Sequence, residues 1–154
     1  MMIEAGQTLP PFSLPTDAGT TVGPADFAGR KLVLYFYPKD DTSGCTLEAR
    51  GFTERLAEFA AADTAVVGVS KDGVKSHARF RDKHDLGIAL LSDGTGTLTE
   101  DLGLWVEKSM YGRKYMGIER ATLLVDAGGT VVRVWRNVKV PGHVDEVLEA
   151  ARAL

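Results

Sequence analysis

The sequence holds one cysteine, Cys45, inside residues 35–52, which read YFYPKDDTSGCTLEARGF. It falls where an apolar run stops at Pro38 and helical spacing begins. A thiol in the first turn of a helix meets the positive end of the backbone dipole and several unpaired NH groups, which favour the thiolate, the nucleophilic form. Asp40 and Asp41 lie within five residues of it, and their charges oppose a thiolate, so both are expected to point to solvent.

The elements around this thiol are legible in outline. Residues 31–37, KLVLYFY, are apolar and rich in β-formers, as in a central strand covered on both faces. Thr42, Ser43 and Gly44 make a polar helix start, and Cys, Ala, Phe, Leu, Phe and Ala at 45, 49, 52, 56, 59 and 60 keep helical spacing. That spacing predicts one helix with the thiol on its apolar side and Glu48 one turn further on. Residues 65–69 read as a second buried strand and 73–84 as a helix, giving a βαβ unit with a right-handed crossover.

A short strand near 89–91 and a short helix over 98–102 follow, then a hairpin from 121–125 and 130–135 joined by DAGG, and a closing helix over 143–152. The Pro- and Gly-bearing N-terminal stretch predicts a small hairpin about residues 16–19, beside the main sheet. This order implies an α/β fold with a central mixed sheet flanked by helices, centred on residues 31–37, in one domain spanning 1–154. Active sites of such sheets lie outside the carboxyl ends of the strands, where Cys45 sits.

Composition excludes several classes. A formal charge of −3 with interspersed Lys and Arg gives no footing for nucleic acid or an anionic membrane, and no apolar run nears the ~20 residues of a membrane helix. The N-terminus lacks the basic and apolar regions of a signal peptide, so a cytoplasmic protein is expected. One cysteine permits neither an internal disulfide nor a Cys-rich zinc site, and His77, His84 and His143 have no metal-ligand spacing. The histidines are expected to be solvated or locally bonded, no metal or cofactor is expected, and Trp105 and Trp135 are expected in the core or a pocket wall. The Gly94-Thr95-Gly96 fragment reads as a turn, and YGRKY at 111–115 as a surface loop, alternatively a substrate or reductant contact.

Pro38-x-x-x-Thr42-x-x-Cys45, with Glu48 three residues on, resembles the active-site motif of peroxiredoxins. The segments YFYPKDDTSGCTLEA, GVSKDGVKSHARF, LLSD, LGLW and MYGRKYMGIERATLLVD are similar to the bacterioferritin-comigratory, or peroxiredoxin Q, subfamily over nearly the whole chain. The resemblance implies a thioredoxin-like fold and thiol-dependent reduction of hydrogen peroxide and organic hydroperoxides. It implies Cys45 as the peroxidatic nucleophile, Thr42 and Arg120 completing the site, Pro38 shielding it and Glu48 supporting its hydrogen bonds. Such chemistry needs a thiolate and donors for the charge growing on the departing oxygen, which a hydroxyl, a guanidinium and helix NH groups supply.

Members of the subfamily carry a resolving cysteine where this chain has Arg50, or in the next helix where it has Arg81. The resemblance therefore implies a one-cysteine enzyme recycled by thioredoxin, glutaredoxin or glutathione, and a monomer is expected. A redox sensor or adaptor that forms a mixed disulfide at Cys45 is the alternative, and a thioredoxin-fold binding module without redox activity is a third reading.

Overall fold

The computed structural model describes residues 2–154. Its centre is a mixed five-stranded sheet in the order β5-β4-β3-β8-β9. The middle strand β3 (Lys31–Phe36) pairs parallel with β4 (Thr64–Ser70), which pairs parallel with β5 (Ala89–Ser92). On its other side β3 pairs antiparallel with β8 (Ala121–Val125), and β8 with β9 (Val131–Trp135). The expected mixed sheet centred on 31–37 is therefore present.

Alternation along β3 divides the interior in two. Val33, Tyr35 and Tyr37 face one cluster with residues of α1 (Ser43–Glu54), α2 (Leu56–Ala61), α3 (Val74–His84) and α5 (His143–Ala153). Leu32, Leu34 and Phe36 face the other, with Leu98 of α4 (Thr97–Asp101), the N-terminal Ile3 and Leu9, and Ile118. Right-handed parallel connections that step twice in the same direction must lie on one face, which puts α1, α2 and α3 together over Tyr35 and Tyr37.

The N-terminal hairpin is shorter than its sequence suggests: β1 (Leu14–Pro15) pairs with β2 (Thr21–Val22), and Thr16 bridges to Leu91 at the β5 edge. Two expectations are corrected. The single helix over 45–60 is broken at Arg55, which leaves helical geometry at φ −100°, ψ 5°. Just before the break the Thr53 hydroxyl donates to the Ala49 carbonyl at 2.8 Å, a back-bond that bends helices. The YGRKY loop is instead the tip and second strand of a hairpin, β6 (Trp105–Met110) with β7 (Arg113–Ile118). Tyr111 and Gly112, both at positive φ, make its two-residue turn. No described helix is long and apolar enough to cross a membrane.

Candidate active site

The loop after β3 turns sharply at Asp41, which adopts a left-handed φ of 59°, and Thr42 then starts α1 in extended conformation. Cys45, the third residue of that helix, is 1% exposed and packs in the helical-side core. Its Sγ accepts a hydrogen bond from Arg120 Nη2 at 3.3 Å. Arg120 comes from the short link between β7 and β8, and the register explains its place: Ala121 pairs with Phe36, the last residue of β3. The guanidinium also lies across Gly44, where a Cβ would stand 3.2 Å from Nη2.

The second arm of the guanidinium, Nη1, donates to Glu48 Oε1 at 2.7 Å. Helical spacing puts Glu48 beside Cys45, and its side chain is fully buried while that of Arg120 is 16% exposed. Burial pushes the Glu48 carboxyl up to about 7, outweighing the charge and hydrogen bond of Arg120 that pull it down. Arg120 feels the same burial, but Glu48 and Cys45 hold it above its ordinary value, so it stays a cation. Glu48 Oε2 and the Tyr35 hydroxyl have no protein partner. Tyr35 stacks on Phe52 at 4.6 Å between ring centres, and burial, then the charges of Glu48 and Cys45, raise its pKa well above normal.

The residues singled out from sequence fall unevenly around this centre. Cys45, Glu48 and Arg120 are brought together. Thr42 caps the helix through its carbonyl, which accepts from Thr46 N at 2.9 Å, while its hydroxyl donates to the Lys39 carbonyl at 2.9 Å. Pro38 is half-buried one residue beyond Tyr37. Arg50 is exposed, and Arg81 forks onto Asp17 at 2.6 and 3.0 Å and onto the Leu86 carbonyl at 2.8 Å.

Asp41 is exposed as expected, pairing with Lys83 and His84 at 2.7 Å each. Asp40 is not: only 7% exposed, it accepts from Tyr37, Ser76 and His77, so its charge is consumed inside the protein. His77 and His143 are buried and locally bonded, one of the two outcomes expected for the histidines, and His84 bonds to Asp41. Reading the sequence also missed Lys108 on β6. Its half-buried stem runs across Gly117, where a Cβ would meet Cδ at 3.3 Å, and burial and Arg120 lower its pKa. The only signal was a lysine three residues before the turn of a hairpin that itself went unread.

The centre thus offers a buried sulfur at a helix start, faced by a permanent cation that a second acid holds in place. Such a centre stabilises negative charge on sulfur and on an oxygen leaving it. Among the described residues no group of His, Cys, Asp and Glu is arranged to hold a metal ion.

Comparison with known proteins gives a consistent answer. Residues 5–134 match the AhpC/TSA family. A putative peroxiredoxin Bcp of Coxiella burnetii is 49% identical over 148 residues, covering 96% of this chain and 98% of the relative. Peroxiredoxin Bcp of Bacillus subtilis is 44% identical over 152 residues, 99% of this chain and 97% of that one. Among solved structures, PrxQ of Xylella fastidiosa superimposes with a TM-score of 0.94 at 38% identity, covering 99% of this chain and 98% of the other.

Proposed function

The chain belongs to the AhpC/TSA family and is a thiol-dependent peroxidase of the Bcp, or peroxiredoxin Q, kind on a thioredoxin-like fold, and from that premise we propose how its residues divide the work. The Cys45 thiolate attacks one oxygen of the peroxide. The O–O bond breaks, sulfur is oxidised to the sulfenic acid, and the other oxygen leaves as hydroxide or alkoxide and takes up a proton. Arg120 donates to the sulfur and to the departing oxygen, and the NH groups of the helix start add to it. Glu48 holds the guanidinium across Gly44. Thr42, whose donor is spent on Lys39, accepts the hydrogen of the incoming peroxide, and Pro38 closes the site to water. The observation that carries this reading is the single guanidinium joining Cys45 Sγ at 3.3 Å to buried Glu48 at 2.7 Å.

The second half-reaction needs a thiol from outside, because no other cysteine exists in the chain. One thiol condenses with the sulfenic acid, forming a mixed disulfide and releasing water; a second displaces Cys45 and leaves with the oxidised reductant. We assign this role to glutathione, thioredoxin or glutaredoxin, acting on a monomer in the cytoplasm. Lack of a resolving cysteine also favours a second reading, an adaptor whose oxidised Cys45 bonds to a target protein without turning over.

Stopped-flow measurement of peroxide consumption by the reduced protein tests the first step. The expected rate far exceeds that of free cysteine and vanishes in Cys45→Ser; a rate unchanged by that substitution would sink the mechanism. Rapid multiple turnover with glutathione or thioredoxin would dispose of the adaptor.

A further inference from the structure

His77 takes no part in the chemistry described above, yet it is a fully enclosed titratable group beside the active-site loop, at 0% exposure. Its Nδ1 lies 2.7 Å from Asp40 Oδ2, and its Nε2 lies 2.9 Å from the Leu91 carbonyl oxygen in β5. A carbonyl oxygen only accepts, and a neutral imidazole carries one N–H. Asp40 already accepts from the Tyr37 hydroxyl at 2.6 Å and the Ser76 hydroxyl at 2.8 Å, as an ionised carboxylate does. With Asp40 held ionised, both ring nitrogens of His77 donate and the ring is then an imidazolium.

What this cation holds is the segment leading to Cys45. Asp40 is tied by its side chain to Ser76 and His77 of α3, and by its backbone NH to Asp72 at 2.8 Å. The next residue, Asp41, takes its left-handed turn and pairs with Lys83 and His84 at the far end of the same helix. Thr42 and α1 follow directly. We propose that His77 is a positioning residue of the peroxidase: as a buried imidazolium it fastens Asp40, and with it residues 37–42, to α3, and so sets where α1 begins and where Cys45 stands beneath Arg120. The inference rests on Cys45 being the reacting residue.

The surrounding charges agree with this assignment. Burial pulls the His77 pKa down, but the hydrogen bond and charge of Asp40, the Leu91 carbonyl and Asp72 bring it above its ordinary value. Burial raises Asp40, and His77, Tyr37 and Ser76 more than reverse it. Tyr37 faces the pair from just past the end of β3, Asp72 from the β4–α3 turn, and Asp17, held by Arg81, from the N-terminal hairpin. A raised histidine loses its contribution as pH climbs through its folded pKa, and a lowered aspartate loses its own as pH falls. The fastened state therefore spans the interval between the two and is released on the alkaline side by His77.

Two measurements test it. In a pH series on protein labelled with 15N-histidine, both ring nitrogens of His77 are expected to carry the imidazolium signature through the ordinary histidine range, and to lose it only above that range. One bare nitrogen at or below the ordinary histidine value of 6.5 would overturn the assignment whatever the peroxide chemistry proves to be. In stopped flow, His77→Gln and Asp40→Asn are each expected to slow Cys45 oxidation at least about tenfold, since an ångström of misplacement can cost on the order of a hundredfold. The double variant is expected to lose no more than either single one, and both singles to lose the alkaline limb of the wild-type pH–rate profile. A merely structural pair would lower the melting temperature and leave the rate of the folded enzyme and its pH profile unchanged; that result, with Cys45 still the reacting residue, would reject the positioning role alone. Should both variants fail to fold, the ring-nitrogen measurement on the wild type still decides the imidazolium on which the role depends.

Discussion

Replacing Arg120 by Met keeps most of the side-chain length and removes the donors that lie 3.3 Å from Cys45 Sγ and 2.7 Å from Glu48 Oε1. Two separate losses are expected. Loss of one preorganised donor at a developing oxyanion costs about 2.7–4 kcal/mol, or roughly 10²–10³ in rate, and the peroxide-consumption rate constant should fall by that amount. The effect on stability depends on pH through Glu48. Its folded value of about 7 stands above its ordinary 4.5, so it contributes less as pH rises through that interval, and at pH 8 it is mainly an anion held by Arg120. Removing the partner there breaks a buried pair, which costs about 3–5 kcal/mol, with the lower end favoured because Arg120 is 16% exposed. At pH 5.5 Glu48 is already protonated, and the loss is that of one hydrogen bond, about 1 kcal/mol. Chemical denaturation at the two pH values reads the difference. Adding Glu48→Gln should flatten the pH dependence and restore none of the rate. A variant within threefold of the wild-type rate, or a double variant that recovers activity, would refute the reasoning, because Arg120 would then matter only as a counter-charge for Glu48.

Gly44→Ala puts a methyl group 3.2 Å from Arg120 Nη2 while replacing a helical glycine by the best helix former, a change favourable by up to about 1 kcal/mol. It should leave the protein at least as stable and slow peroxide consumption about tenfold, by stopped flow, through displacement of the guanidinium. His143 is 4% exposed against Thr122, and burial lowers its pKa to about 4. Its contribution is complete above the ordinary 6.5 and lost as pH falls toward 4, a change of up to about 3 kcal/mol. The stability difference between wild type and His143→Gln should therefore shrink between pH 7.5 and 4.5 in urea melts, with the Glu48 contribution cancelling in the comparison.

What could be read in advance follows the range of the interactions involved. The strand at residues 31–37, the turn after Pro38 and the thiol at a helix start are local, and apolar pattern with turn chemistry suffices for them. The break at Arg55 escaped because α1 and α2 share one apolar face, so Phe52 and Phe59 keep helical spacing across it. The β6–β7 hairpin escaped because its tip carries Tyr-Gly where Asn-Gly is the usual signal, and because Met110, Tyr111, Tyr115 and Met116 are all exposed, which erases the alternation a half-buried strand displays. Arg120 had no local mark, and only the likeness to other peroxiredoxins singled it out. The burial of Asp40 went unforeseen for a similar reason: a carboxylate beside a thiol looks solvated until a histidine 37 residues on is found to be its partner.

The 75-residue separation of Cys45 and Arg120 has a consequence during synthesis. A nascent chain carries its thiol long before the guanidinium exists, and even then the two meet only when β8 has closed antiparallel against β3. Until that closure the cysteine has neither its cation nor its enclosure. On the proposed mechanism the reagent is therefore armed by the completion of tertiary structure, and an unfolded or truncated molecule is expected to carry a thiol without the power to react quickly with peroxide.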